Sequence, residues 1–195
     1  MSRARLEAFS DGVFAVAITL LALDLAIRGP GYGPLLEQLG EHWPIFVAYV
    51  ISFFTVGIIW VNHHALVANI ARVDRPLLFL NLLALLFVVA IPFGTDTMAE
   101  YLTEGAQDSH VAMALYCLIL EGMALGLAAV FAWTLREGGT HQPVPAAMRR
   151  GVWVRFSFGV VAYLVATGIA LLSAPAALLV VGLIALYYIF ERTPR

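Results

Sequence analysis

Apolar residues along this 195-residue chain come in long blocks, separated by short polar stretches. A helix needs roughly 20 mostly apolar residues to cross the hydrocarbon core of a bilayer. Six blocks meet that length, at about 6–27, 44–70, 76–98, 111–135, 150–172 and 175–190. Pro44, Pro76 and Pro175 each fall in a predicted first helical turn, where a missing N–H costs nothing. Only Ser173, Ala174 and Pro175 join the last two blocks, which predicts a tight antiparallel hairpin. The pattern reads as one six-helix unit, all-α and polytopic. No internal repeat divides it.

Composition agrees. Hydrophobic residues make up 62% of the chain and charged residues 12%, about half the charged fraction of a soluble domain. Every basic residue is arginine. Arg3, Arg5, Arg72, Arg75, Arg136, Arg149, Arg150, Arg155, Arg192 and Arg195 fall on one side of the predicted spans, and Arg28 on the other. The positive-inside rule then predicts cytoplasmic N- and C-termini. Trp43, Tyr101, Trp133, Trp153, Tyr187 and Tyr188 lie near span ends, as interfacial anchors do. The single cysteine, Cys117, lies in an apolar run, so no intrachain disulfide is expected.

The first span carries the most unusual chemistry. Arg5, Ser10 and Asp11 stand at its foot, where ionisable groups are costly unless paired or wet. The second span, running the other way, brings Trp60, Asn62, His63 and His64 to a similar depth. Asp11 is therefore expected to accept a hydrogen bond from His63 or Trp60, as a tether between helices rather than a proton carrier. Above the foot, Val16, Leu20, Leu23 and Ile27 form one helical stripe, with Thr19 beside it. Such a stripe either packs on neighbouring helices or, repeated around an axis, makes a hydrophobic constriction that gates by excluding water.

Other polar positions carry weaker signals. His63 and His64 are adjacent, about 100° apart on a helix, so they cannot both face one ion, and no metal site is expected. Gly31-Tyr32-Gly33 lacks the preceding Thr-Val of a potassium filter and reads as an outer loop. Glu121, inside the fourth span, marks an ion or proton path or pairs with a polar group such as Ser157. Asn81 is placed to hydrogen-bond between helices, and Pro92-Phe93-Gly94-Thr95 is expected to break the third span. Asp24 and Asp96 fall near the outer surface. No nucleotide loop, catalytic triad or acid–base pair is visible, which argues against an enzyme, and no cofactor or nucleic-acid partner is implied.

The run Arg5-Leu-Glu-Ala-Phe9-Ser10-Asp11-Gly12 through Leu21 resembles the RxxxFSD signature of the transmembrane protein 175 family of potassium channels. That family includes the lysosomal channel of animals and bacterial relatives of one repeat each. Trp60-Val-Asn-His63-His64 and Ile91-Pro92-Phe93-Gly-Thr95 extend the likeness. The resemblance implies a homotetramer in the bacterial inner membrane, its pore lined by the first helix, conducting K⁺ without a P-loop filter. It implies hydrophobic pore layers at Val16, Leu20 and Leu23 and a polar pore residue at Thr19. It also implies a structural network of Arg5, Phe9, Ser10 and Asp11 with Trp60 and His63. The first layer is usually isoleucine. Val16 is shorter, which implies a wider constriction and weak selectivity for K⁺ over Na⁺. Two readings compete with a channel: a proton-coupled secondary transporter using Glu121 and Asp11, and a non-conducting membrane scaffold.

Overall fold

The computed structural model describes residues 2–27, 29–136, 139–140 and 146–190. Arg28, Arg192 and Arg195, three of the charges that orient the chain, lie outside the described residues. Among the described residues, seven helices follow in order: α1 (Arg3–Leu20), α2 (Leu35–Glu41), α3 (Trp43–Ala68), α4 (Arg75–Tyr101), α5 (Ala106–Thr134), α6 (Ala146–Ala170) and α7 (Ala174–Phe190). Of these, α3, α4, α5 and the 149–170 part of α6 are long and apolar enough to cross a membrane, and α7 is apolar but shorter. Helix α1 has 18 residues but carries Arg3, Arg5, Glu7 and Asp11, which keeps it out of that set.

The centre of the fold is the pair α4–α5, which α1 and α3 cover on the α4 side and α6 on the α5 side. Helices α6 and α7 form the expected hairpin, and α7 reaches back to α3 and α5. Small residues let α4 and α5 approach closely. A Cβ at Gly126 would lie 2.7 Å from the Ala84 Cα, and one at Gly94 would lie 2.7 Å from the Ile119 side chain. Membrane helices use small residues in this way because lipid supplies no hydrophobic drive to bring them together.

This packing explains a correction. The Pro92–Thr95 stretch does not break the third span, because α4 runs unbroken through Pro92 to Tyr101. Pro92 and Gly94 are buried in the contact layer, and the Thr95 hydroxyl donates to the Ile91 carbonyl at 2.8 Å. Tertiary contact holds a helical turn that the local sequence disfavours. Just beside it, Ser52 of α3 bonds Thr95 of α4 and Tyr116 of α5, each at 2.8 Å, so three helices share one buried hydroxyl chain.

The first apolar block is also shorter than expected. Helix α1 stops at Leu20 rather than continuing to residue 27. Ala22 and Leu23 donate to the carbonyls three residues back, Thr19 and Leu20, so the last turn tightens. Leu23 therefore sits on that tightened turn, and residues 25–27 are not helical. The loop beyond holds Gly29, Gly31 and Gly33 at φ of 89°, 101° and 105°, angles that a side chain resists. Buried Gln38, on the short helix α2 that the sequence pattern does not predict, staples this loop. Its amide donates to the Gly29 and Gly33 carbonyls and accepts from the Gly29 N–H.

Candidate functional site

Helix α1 has two unlike faces. Leu6, Ser10, Phe14 and Ala17 are buried against α3 and α4. They recur at intervals of four, four and three, the period of one helical stripe. The opposite face is open. Val16 is 54% exposed and Leu23 72%, Thr19 is exposed, and Leu20 is half-buried. The Thr19 hydroxyl donates back to Val16 and Ala15 of its own helix, which frees an apolar surface from an unsatisfied donor. The stripe of Val16, Thr19, Leu20 and Leu23 is therefore not used to pack this chain against itself.

The foot of α1 is tied to α3 by an antiparallel ladder. Arg3 donates to the Ala68 carbonyl at 2.6 Å. Glu7 faces His64, with 3.2 Å between Oε1 and Nδ1. Asp11 Oδ1 accepts from the Trp60 indole N–H at 2.9 Å. Positions 3, 7 and 11 climb one helix by fours while 68, 64 and 60 descend the other. Residues four apart share a helix face, so one register sets all three rungs.

Of the two expected partners for Asp11, Trp60 is the one used. His63 turns inward instead, where its Nε2–H donates to Asn81 Oδ1 at 2.7 Å and its ring lies 5.3 Å from that of Phe14. The Asn81 amide donates to Ser10 Oγ at 3.1 Å, and Ser10 donates to the Leu6 carbonyl at 2.9 Å. Ser10, His63 and Asn81 are all buried, so every member of this network needs its partner. It joins α1, α3 and α4 behind the ladder. Arg5 is exposed, and the guanidinium contact at the foot belongs to Arg3. Phe9 is 50% exposed, on the open side.

Sequence reasoning singled out Asn81 without its partners, and missed Glu7, His64 and Arg3 as ladder members. The period-four match between the two segments was the signal available for them. Glu121 is buried on α5, and its Oε2 has no hydrogen-bond partner among the described residues. Ser157, its suggested partner, is exposed on α6. Asp24 and Asp96 come close enough to interact electrostatically, together with Glu100.

The chain that carries this anchored and half-open helix is similar to several known proteins. The profile of the family described as endosomal/lysosomal potassium channel TMEM175 matches residues 5–92. A potassium channel of Streptomyces collinus is 48% identical over 192 residues, covering 97% of this chain and 93% of that one. The chain belongs to the TMEM175 family. The crystal structure of a lysosomal potassium-selective TMEM175 homolog from Chamaesiphon minutus superposes with a TM-score of 0.86 at 30% identity, covering 96% of each chain. The endosomal/lysosomal proton channel TMEM175 of Bos taurus is 37% identical over 158 residues, and the match spans 32% of that longer protein. This TMEM175 member is thus a bacterial-type membrane protein and an ion channel, not an enzyme.

Proposed function

We propose that this TMEM175 member is a weakly K⁺-selective channel of the inner (plasma) membrane. Four copies surround the pore and α1 lines it. Six segments span the membrane, α1 and α7 among them, with both termini in the cytoplasm. Relatives in Streptomyces and Chamaesiphon carry the name potassium channel, which supports K⁺ as the permeant ion.

The observation that carries this reading is the split of α1. Its foot is fixed by the ladder and the buried Ser10–Asn81–His63 network, while Val16, Thr19, Leu20 and Leu23 face away from the chain's own helices. A four-fold arrangement of that face makes stacked apolar rings with one hydroxyl ring among them. Apolar rings of small radius exclude water and close the path, and a modest widening wets it. Val16 contributes a smaller side chain than isoleucine, which favours a wider ring and weak discrimination between K⁺ and Na⁺.

Reconstitution into planar bilayers under a K⁺ gradient tests the reading. Unitary currents are expected, with a reversal potential that shows modest preference for K⁺ over Na⁺. Leu20→Asn is expected to change conductance at least several-fold. Saturable proton-coupled flux without unitary events would instead favour a transporter. The buried, unpaired Glu121 oxygen is the feature that keeps this second reading worth testing, and Glu121→Gln abolishes coupled flux if it is correct.

A further inference from the structure

The ladder between α1 and α3 gathers a set of potential ligand atoms at the foot of α1. Glu7 and Asp11 lie four apart on α1 and project from one face. His64 stands opposite on α3. One ligand atom from each, two carboxylate oxygens and an imidazole nitrogen, lie within 4.8 Å of one another. The Glu7–His64 separation is 3.2 Å. Two ligands of a tetrahedral Zn²⁺ ion, each at about 2.0–2.1 Å, lie about 3.3 Å apart, so that edge is already at the coordinated length. The remaining edges, within 4.8 Å, need to shorten by up to about 1.5 Å, within reach of the partly exposed Glu7 and exposed His64.

The support behind the ligands suits the same chemistry. The Trp60 indole N–H holds Asp11 through one oxygen, Oδ1, the kind of outer contact that orients a metal-bound carboxylate. His64 Nδ1 is the nitrogen that faces Glu7. His63 points into the buried network and takes no part. Of the adjacent histidines, one imidazole serves the core and the other faces the acids of α1.

We infer that Glu7, Asp11 and His64 form a binding site for a first-row divalent transition-metal ion, Zn²⁺ by preference, with water completing a tetrahedron. Two oxygens and one nitrogen form an open three-ligand set, which suits Zn²⁺ and Co²⁺ better than Ca²⁺ or Mg²⁺, which take all-oxygen shells. Bound metal replaces the Glu7–His64 contact with coordinate bonds and clamps the foot of α1 to α3.

The test uses purified, chelator-stripped full-length protein in detergent micelles, titrated with ZnCl₂ by calorimetry and with CoCl₂ by visible absorption. One ion per chain is expected, with the d–d bands of four-coordinate cobalt. His64→Ala and Glu7→Gln are each expected to weaken binding at least tenfold while the elution profile stays unchanged. His64→Cys is expected to restore binding and to add a thiolate-to-cobalt charge-transfer band. Unchanged stoichiometry and affinity in both His64→Ala and Glu7→Gln would overturn the inference, as would no Zn²⁺ binding by the wild-type chain. These readouts report on the metal alone, so they stand apart from whether the protein conducts K⁺.

Discussion

Helix α1 and helix α5 solve opposite problems in the same fold. Helix α5 is packed on nearly every side, with more than half of its 29 residues buried and the backbone of α4 in contact at Gly126. Helix α1 buries only Leu6, Ser10, Phe14 and Ala17 of its 18 residues. The first is held by close van der Waals contact, which tolerates no added atoms. The second is held at its foot by directional polar contacts, which leave the rest of the helix clear. In the proposed channel the open face of α1 meets other copies and so is not clamped from all sides, and polar rungs at one end fix register at little cost in surface.

Substitutions can break this contrast, and the largest effect is expected in the packed pair. Gly126→Leu drives a side chain into the Ala84 backbone. Overpacking of this kind costs about 3 kcal/mol, and the expected result is loss of the monodisperse peak in size-exclusion chromatography. A wild-type melting temperature would show that α4 and α5 are not tightly apposed.

Next comes the buried network. Asn81→Leu leaves the His63 N–H without its acceptor and takes a donor from Ser10. A stranded buried donor costs about 2 kcal/mol, read as a clear drop in thermal unfolding temperature. Trp60→Phe removes one rung while keeping an aromatic ring. The lost bond is to a carboxylate but half-open to solvent, so a loss of about 1 kcal/mol is expected. If Trp60→Phe proved more damaging than Asn81→Leu, the ladder and not the buried network would be the main anchor.

The smallest effect on stability is expected on the open face. Val16→Ala removes atoms from a residue that is 54% exposed in the chain, so its stability should change by about 0.5 kcal/mol or less. Ion permeation is where it should show, as a larger unitary current and a weaker preference for K⁺. A stability loss matching that of Asn81→Leu, with unchanged currents, would turn the stripe into ordinary packing.

Much of this was legible beforehand because it depends on local pattern. Apolar blocks of membrane length, prolines at first turns and the tight α6–α7 hairpin follow from the preferences of each segment. The TMEM175 likeness was legible too, since it resides in the residues themselves. Helix ends and partners were not. Nothing in Leu20-Leu21-Ala22-Leu23 announces that the helix tightens there. Pro92 argues locally for a break that the α4–α5 contact overrides.

The sequence by itself determined that this chain lives in a membrane as a bundle of helices, because burying apolar runs of that length in lipid needs no knowledge of neighbours. It also marked Ser10 and Asp11 at the foot of α1 as needing partners, because a charge or hydroxyl at that depth must be satisfied. Only the tertiary structure decided who the partners are. Asp11 took Trp60, His63 took Asn81, and Glu7 took His64, because helix register and rotation, set by contacts distant in sequence, choose among groups that composition leaves equivalent. The same rotation turned Val16 and Thr19 outward, a direction that periodicity describes but cannot assign.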